Sequence, residues 1–253
     1  MTATPTTLSP NGVPSTPPTT APHWPRGFSS GGVAAGIKKP GVNDLALLFG
    51  NGEFGSGEFG NGELSAAAVF TRNLIVAAPI QVSRANLAVS SARIRALIIN
   101  SGCANAATGE EGLVRSRRTI ESLAATLGVP SQSVLVNSTG VIGVQLPIDR
   151  IEKALPALKA SLQPGSCETF ARSIMTTDTR PKWASRIIRW MEGTTERTCT
   201  VTGVAKGAGM IHPNMATMIS VIATDATLTP SELDGHLRSA VEQSFHRISV
   251  DGD

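Results

Sequence analysis

The sequence has 253 residues, 41% of them hydrophobic, with 25 Gly and 16 Pro. That suffices for one large domain or two small ones with real cores. The formal net charge is only +3, Tyr is absent, and no Lys/Arg cluster is interleaved with aromatics, which argues against nucleic-acid binding. No apolar run approaches the ~20 residues needed to span a bilayer as a helix. Cys103, Cys167 and Cys199 form neither a CxxC pair nor an even disulfide framework, so a reducing compartment, the cytoplasm, is the simpler expectation. His23, His212, His236 and His246 show no metal-ligand spacing, and no metal is expected. Only His212 lies near a motif, and no nearby carboxylate marks it as an oriented base.

Residues 1–27 are rich in Thr, Pro and Ser and have almost no apolar periodicity, so they read as a disordered tail. They lack the apolar core of a signal peptide, and a single Arg26 does not make a transit peptide. Residues 50–64 carry a five-residue unit three times (GNGEF, GSGEF, GNGEL) and read as a Gly-rich linker or surface insertion. A phosphate loop is the poorer reading, because each unit carries a Glu that would repel phosphate and no Lys-Ser/Thr follows.

Beyond the repeat the pattern becomes globular. Residues 94–100 and 133–137 are short β-branched runs that read as buried strands. Leu113, Ile120, Leu123 and Leu127 predict a helix over 112–127 with Gly128 as its stop. Residues 147–162 predict another, opened by Pro147 and faced by Ile148, Ile151, Leu155, Leu158 and Leu162. Pro156 should kink or end it. Residues 219–224 read as a strand. A helix follows over 230–246, capped by Thr229, opened by Pro230 and carrying Leu233, Leu237, Val241 and Phe245. Strands mixed with helices predict an α/β or α+β layered domain.

The most distinctive stretch is 205–225, AKGAGMIHPNMATMISVIATD. It is a Gly-rich loop with Lys206, a Pro213-Asn214 turn, and Ala216-Thr217 before a strand. Residue types alone permit two readings. One is an ordinary turn before a core strand. The other is a hydroxyl held rigidly at a loop-to-strand junction. Thr139-Gly140, within NSTGVIGVQLP, is likewise either a simple strand-to-turn step or a pair of donors.

Residues 205–225 resemble the signature of the ornithine acetyltransferase (glutamate N-acetyltransferase) family, the bifunctional proteins of arginine biosynthesis. The resemblance runs from about Gly27 to Asp253. It includes GVAAGIKKPGVNDLALL (32–48), INSGCANAATG (99–109), SIMTTDTRPK (173–182) and SFHRISVDGD (244–253), and only the repeat interrupts it. It implies the layered self-processing fold of that family and of the DmpA-like proteins. The domains would be a 28–216 α-subunit-like part and a β-subunit-like part starting at 217.

The resemblance also implies roles. The precursor cuts itself at Ala216–Thr217, and Thr217 becomes the N-terminal nucleophile. Its freed α-amine, with a pKa of about 8, can then serve as base for its own hydroxyl. The Thr139 hydroxyl and the Gly140 N–H would form the oxyanion hole. Lys206 would bind the substrate's α-carboxylate, and Thr176 or Thr177 would contact substrate. Acetyl would pass from N2-acetyl-L-ornithine to Thr217 and on to L-glutamate in a ping-pong cycle, with no bound cofactor. Some relatives also accept acetyl-CoA. The complete assembly would be a heterotetramer of two α-like and two β-like chains. A related N-terminal-nucleophile aminopeptidase is the weaker reading, against which the PNMAT and TTDT stretches argue.

Two departures stand out. Cys103 occupies a position where the family usually has Asn, and the stretch from Thr177 to Lys206 is a few residues longer, which predicts an extended hairpin. The family also continues well past the position of Asp253, so the chain is expected to be C-terminally truncated relative to it. Residues 217–253 could not supply a core of their own. The alternative to an acetyltransferase is therefore a catalytically incomplete fragment or assembly partner of the same family.

Overall fold

The computed structural model describes residues 23–52, 62–211 and 217–250. A five-stranded sheet forms the centre. Its strands are β1 (Phe28–Val33), β2 (Leu45–Gly50), β3 (Ala96–Cys103), β4 (Val134–Val141) and the short β5 (Gln163–Pro164). Their order is β4-β3-β2-β1-β5, with β3 and β4 parallel and the other pairs antiparallel. Parallel strands need a crossover, and α2 (Gly109–Leu127) provides it.

The sheet is buried on both faces. On β2, Leu45 and Leu47 point to one face, where they join Ile98, Leu123, Val136 and Ile151. This core is roofed by α1 (Ala78–Ser90), α2 and α3 (Ile148–Ala160). On the other face Ala46 and Leu48 meet Ile99 and the Phe170 and Ile174 region around α4 (Glu168–Ser173). That second core also takes Val204 and Ala223 from a three-stranded antiparallel sheet of β6 (Lys182–Glu192), β7 (Thr195–Lys206) and β8 (Ile219–Thr224). The layers are thus helices, central sheet, then α4 and the second sheet. A strand covered on both sides shows no alternation of polar and apolar residues, which is why LALLF reads as an unbroken apolar run.

The expected elements appear with shifted bounds. The two buried strands extend to Cys103 and Val141. Helix α2 stops at Gly128, in the left-handed conformation, whose N–H reaches Ala124 O at 2.8 Å. The β6–β7 hairpin is long, as its spacing suggested. The helix α5 (Pro230–Gln243) is opened by a capping box, in which Thr229 accepts from Glu232 N and Glu232 accepts from Thr229 N.

Three expectations are corrected. Pro156 neither ends α3 nor stops its apolar face: the helix runs on to Ala160. Pro156 is exposed, while Ile148, Ile151, Leu155 and Leu158 around it are buried. Their burial outweighs the ~3 kcal/mol that an internal Pro costs. Pro147 stands at the cap rather than within the first turn. The tail does not extend to residue 27 either. Trp24 is only 2% exposed and meets Phe170 edge-on at 5.5 Å, while its N–H backbone donor reaches Gly165 O at 2.6 Å. One large aromatic buries enough surface to fix a segment whose composition is otherwise that of a loose tail. Residues 1–22, and 53–61 of the repeat, lie outside the described residues.

Candidate active site

The parallel pair β3–β4 ends at Cys103 and Val141, and its carboxyl ends open into a cleft of about 2260 Å³. Ligands in α/β sheets gather at such strand ends. The ends are tied by buried side chains: Asn100 Nδ2 donates to Cys103 O at 2.8 Å, and Ser138 Oγ donates to Asn100 Oδ1 at 2.6 Å. Gly140 has φ +132°, and a Cβ built there would lie 2.4 Å from the carbonyl carbon of Gly102. The Thr-Gly step therefore needs glycine for both conformation and space.

Lys206 closes β7 at 8% exposure and donates from Nζ to Thr139 Oγ1 at 3.3 Å. This uses the hydroxyl oxygen as acceptor and leaves its hydrogen for another partner. Burial lowers the pKa of Lys206; Asp178 opposes this and Lys182 adds to it.

Asp178 joins the two loops of the site. Its side chain is 1% exposed and paired with Lys182. Oδ1 accepts from Gly207 N at 2.8 Å, and Oδ2 accepts from Thr176 N at 3.2 Å. Lys182 Nζ also donates to Gly207 O at 2.9 Å. Burial disfavours the charged carboxylate, yet the hydrogen bonds from Lys182, Gly207 and Thr176 and the Lys182 charge outweigh it and hold the Asp178 carboxyl below its ordinary range. One carboxylate thus fixes both the turn bearing Thr176 and Thr177 and the loop that follows Lys206.

Thr217 precedes β8 and is exposed. It lines the cleft together with Thr139, Gly140, Thr176, Thr177 and Lys206. All the residues expected to act together, except Ala216, therefore face one space. Ala216 and His212 lie outside the described residues. Cys103 is buried, its Sγ donates to Val144 O at 3.2 Å, and burial pushes its thiol pKa up, the opposite of an activated nucleophile.

Sequence reasoning assigned no role to Lys38. Asp44, fully buried, accepts from the N–H groups of Ala35, Ile37 and Lys38 at 2.6, 2.6 and 2.8 Å. This folds the 34–41 loop so that Lys38 lines the same cleft. The Lys38-Lys39 pair carries no signal that separates it from two solvated surface lysines. The deciding link is Asp44, five residues beyond that pair.

The cleft exceeds the ~300–1,000 Å³ of an ordinary small-ligand pocket. Besides the polar residues above, its lining includes Ile80 and Leu87 of α1, Leu233 and Leu237 of α5, and Phe245, which make much of it an apolar trough.

Fold and cleft define a layered α/β protein with a large cleft at the ends of a parallel strand pair. The chain belongs to the ArgJ family, whose model matches residues 29–253. It is 44% identical over 229 residues to the arginine biosynthesis bifunctional protein ArgJ of Nitratidesulfovibrio vulgaris, covering 90% of this chain and 54% of that protein. It is 43% identical over 237 residues to the protein of the same name from Chlorobaculum tepidum, covering 94% and 55%. The chain therefore spans about half the length of these curated relatives. Among solved structures, ArgJ of Bacillus halodurans superposes with TM-score 0.63 at 35% identity, over 77% of this chain and 92% of that one. Ornithine acetyltransferase of Mycobacterium tuberculosis, complexed with ornithine, gives TM-score 0.62 at 35% identity, over 77% and 94%. The layered α/β expectation and the family expectation are both met.

Proposed function

We propose that this chain carries the acyl-threonine site of an acetyltransferase that moves acetyl from N2-acetyl-L-ornithine to L-glutamate. The observation that carries the reading is the convergence of Thr139, Gly140, Lys206 and Thr217 on one cleft in a chain of the ArgJ family. The ornithine bound to the Mycobacterium tuberculosis relative fits the proposed donor chemistry.

The Thr217 hydroxyl first attacks the Ala216 carbonyl, moving the acyl group from nitrogen to oxygen. That shift frees the Thr217 α-amine, and water then hydrolyses the ester, releasing the Thr217 hydroxyl and the Ala216 carboxylate. In turnover this amine takes the hydroxyl proton as Oγ1 attacks the acetyl carbonyl of the donor. The tetrahedral oxyanion is met by the Thr139 O–H and the Gly140 N–H. Because Lys206 already donates to Thr139 Oγ1, the hydroxyl hydrogen is turned away from that ammonium and polarised by it. Loss of one such donor costs ~10²–10³ in rate. Collapse expels ornithine, its amine taking up the proton, and leaves acetyl-Thr217. The glutamate amine then attacks this ester and leaves as N-acetylglutamate. Acetyl-CoA could load the same threonine by the same attack on its thioester. Lys206 anchors the α-carboxylate common to both amino acids, Thr176 or Thr177 adds a hydroxyl contact, and no step requires a metal.

Intact-mass analysis of the expressed full chain tests the first step. Conversion to 1–216 and 217–253 pieces is expected, with none in Thr217→Ala. A chain that stays whole overturns self-processing. Transfer of acetyl from N2-acetyl-L-ornithine to labelled glutamate tests turnover.

The apolar trough favours one further reading, in which this chain is an assembly partner that acts only when a second polypeptide fills the trough. The heterotetramer of α-like and β-like chains is the form proposed for the working enzyme. Processing without acetyl exchange by the isolated chain would select this reading. Among the described residues no helix is long and apolar enough to cross a membrane. A biosynthetic role on polar amino acids suits the cytoplasm.

A further inference from the structure

Lys38 is placed with unusual care for a lysine at the edge of a loop. Asp44 holds its backbone N–H at 2.8 Å, with those of Ala35 and Ile37 beside it. Its aliphatic stem crosses Gly102, where an added Cβ would lie 2.8 Å from Lys38 Cγ. Gly102 in turn lies against Gly140, the residue with which it pairs. Two glycines paired across β3 and β4 therefore flatten the floor on which the stem rests, immediately beside the Thr139-Gly140 step. The Nζ reaches Met175 O at 3.0 Å, directly before Thr176 and Thr177. Lys38 thus spans the cleft from one group of proposed substrate contacts to the other.

Its charge is poorly matched by its surroundings. The oxygens that Lys38 and Lys206 reach, Met175 O and Thr139 Oγ1, are both uncharged. Asp44 is occupied with three backbone donors, and Asp178 is paired with Lys182. Burial lowers the pKa of Lys38; Asp44 opposes this, and the Lys206 charge adds to it. Two half-desolvated cations facing one cleft are costly unless an anion enters. Each ammonium has three N–H donors, and the contacts described use one of each.

We propose that Lys38 is a second anion-recognising residue of this cleft, taking the side-chain carboxylate of a dicarboxylic amino acid whose α-carboxylate is held by Lys206. The assignment rests on the reading of Lys206 as the α-carboxylate anchor. It gives the site a means of telling glutamate, which carries two carboxylates, from an amino acid of the same length that carries one.

The test is equilibrium binding to the full chain by calorimetry, with L-glutamate and L-norvaline as probes. Wild type should prefer glutamate by about tenfold, the scale of one charge-assisted contact in a partly buried site. Lys38→Met keeps the stem that packs on Gly102 and should bring the two affinities together while leaving norvaline unchanged. Lys38→Arg should retain a preference, and Lys206→Met should weaken both ligands. A thermal melt of each variant checks that the fold is intact, and Lys38→Gln replaces Met if that variant melts early. A glutamate preference that survives removal of the Lys38 charge overturns the proposal, as does a wild type with no preference or no binding. Acyl transfer is scored separately by processing and acetyl exchange. If those fail while the Lys38-dependent preference holds, the catalytic reading falls and this one stands.

Discussion

Asp178→Asn isolates the contact that joins the two loops of the site. The substitution keeps shape and one acceptor oxygen but replaces the other oxygen with an N–H₂ donor. In the wild type Oδ1 faces Gly207 N and Lys182, while Oδ2 faces Thr176 N. Every one of these partners is a donor, so either orientation of the amide sets donor against donor at one position. The change also removes the anion beside Lys182. That lysine is 42% exposed and can turn to water, so its own penalty is small. The loss is then chiefly that of charge-assisted hydrogen bonds to buried N–H groups, about 2–3 kcal/mol. For a domain of this size that is a drop in Tm of about 4–12 °C.

The pH dependence fixes the cause. The folded pKa of Asp178 is depressed, so its stabilisation is complete above the unfolded value of about 3.9 and is lost as pH falls through the folded value. Urea titrations of both proteins should therefore differ at pH 7 and converge progressively below about pH 4. Equal stability at pH 7, or a gap that widens in acid, would refute the reasoning.

Other consequences are equally direct. Gly140→Ala forces a side chain into φ +132° and against Gly102, and should cost more than about 2 kcal/mol in urea melts and abolish the proposed acyl transfer. Trp24→Ala removes a nearly fully buried aromatic packed on Phe170 and should cost about 3–5 kcal/mol, whereas a loose tail would leave Tm unchanged. Thr229→Ala breaks the capping box of α5 and should cost about 1 kcal/mol, partly recovered by Thr229→Ser.

The sequence spoke most clearly where the physics is local. Leu113 to Leu127 with Gly128, and Thr229-Pro230 with Leu233, Leu237 and Val241, carry both the period and an end signal of a helix, and both helices formed. The motif stretches around Thr139, Thr176 and Lys206 were legible through their likeness to a family. No periodicity marks them, and each taken alone could be a turn. The continuation of α3 through Pro156 was not legible, because it depends on the burial of Leu155 and Leu158 against the sheet and α2. Nor was the place of Trp24, whose partner Phe170 lies far along the chain.

By itself the sequence determined the layered class, several of its helices and strands, and the set of side chains proposed to perform acyl transfer. Helix periods, caps and motif residues are properties of neighbouring positions. Only the tertiary structure brought Thr139, Thr176, Lys206 and Thr217 to a single cleft, made Asp178 the link between two loops, and set Lys38 across Gly102. Those relations join residues tens of positions apart. Close packing of the central sheet against α4 and the second sheet fixes them, and no local pattern encodes such distances.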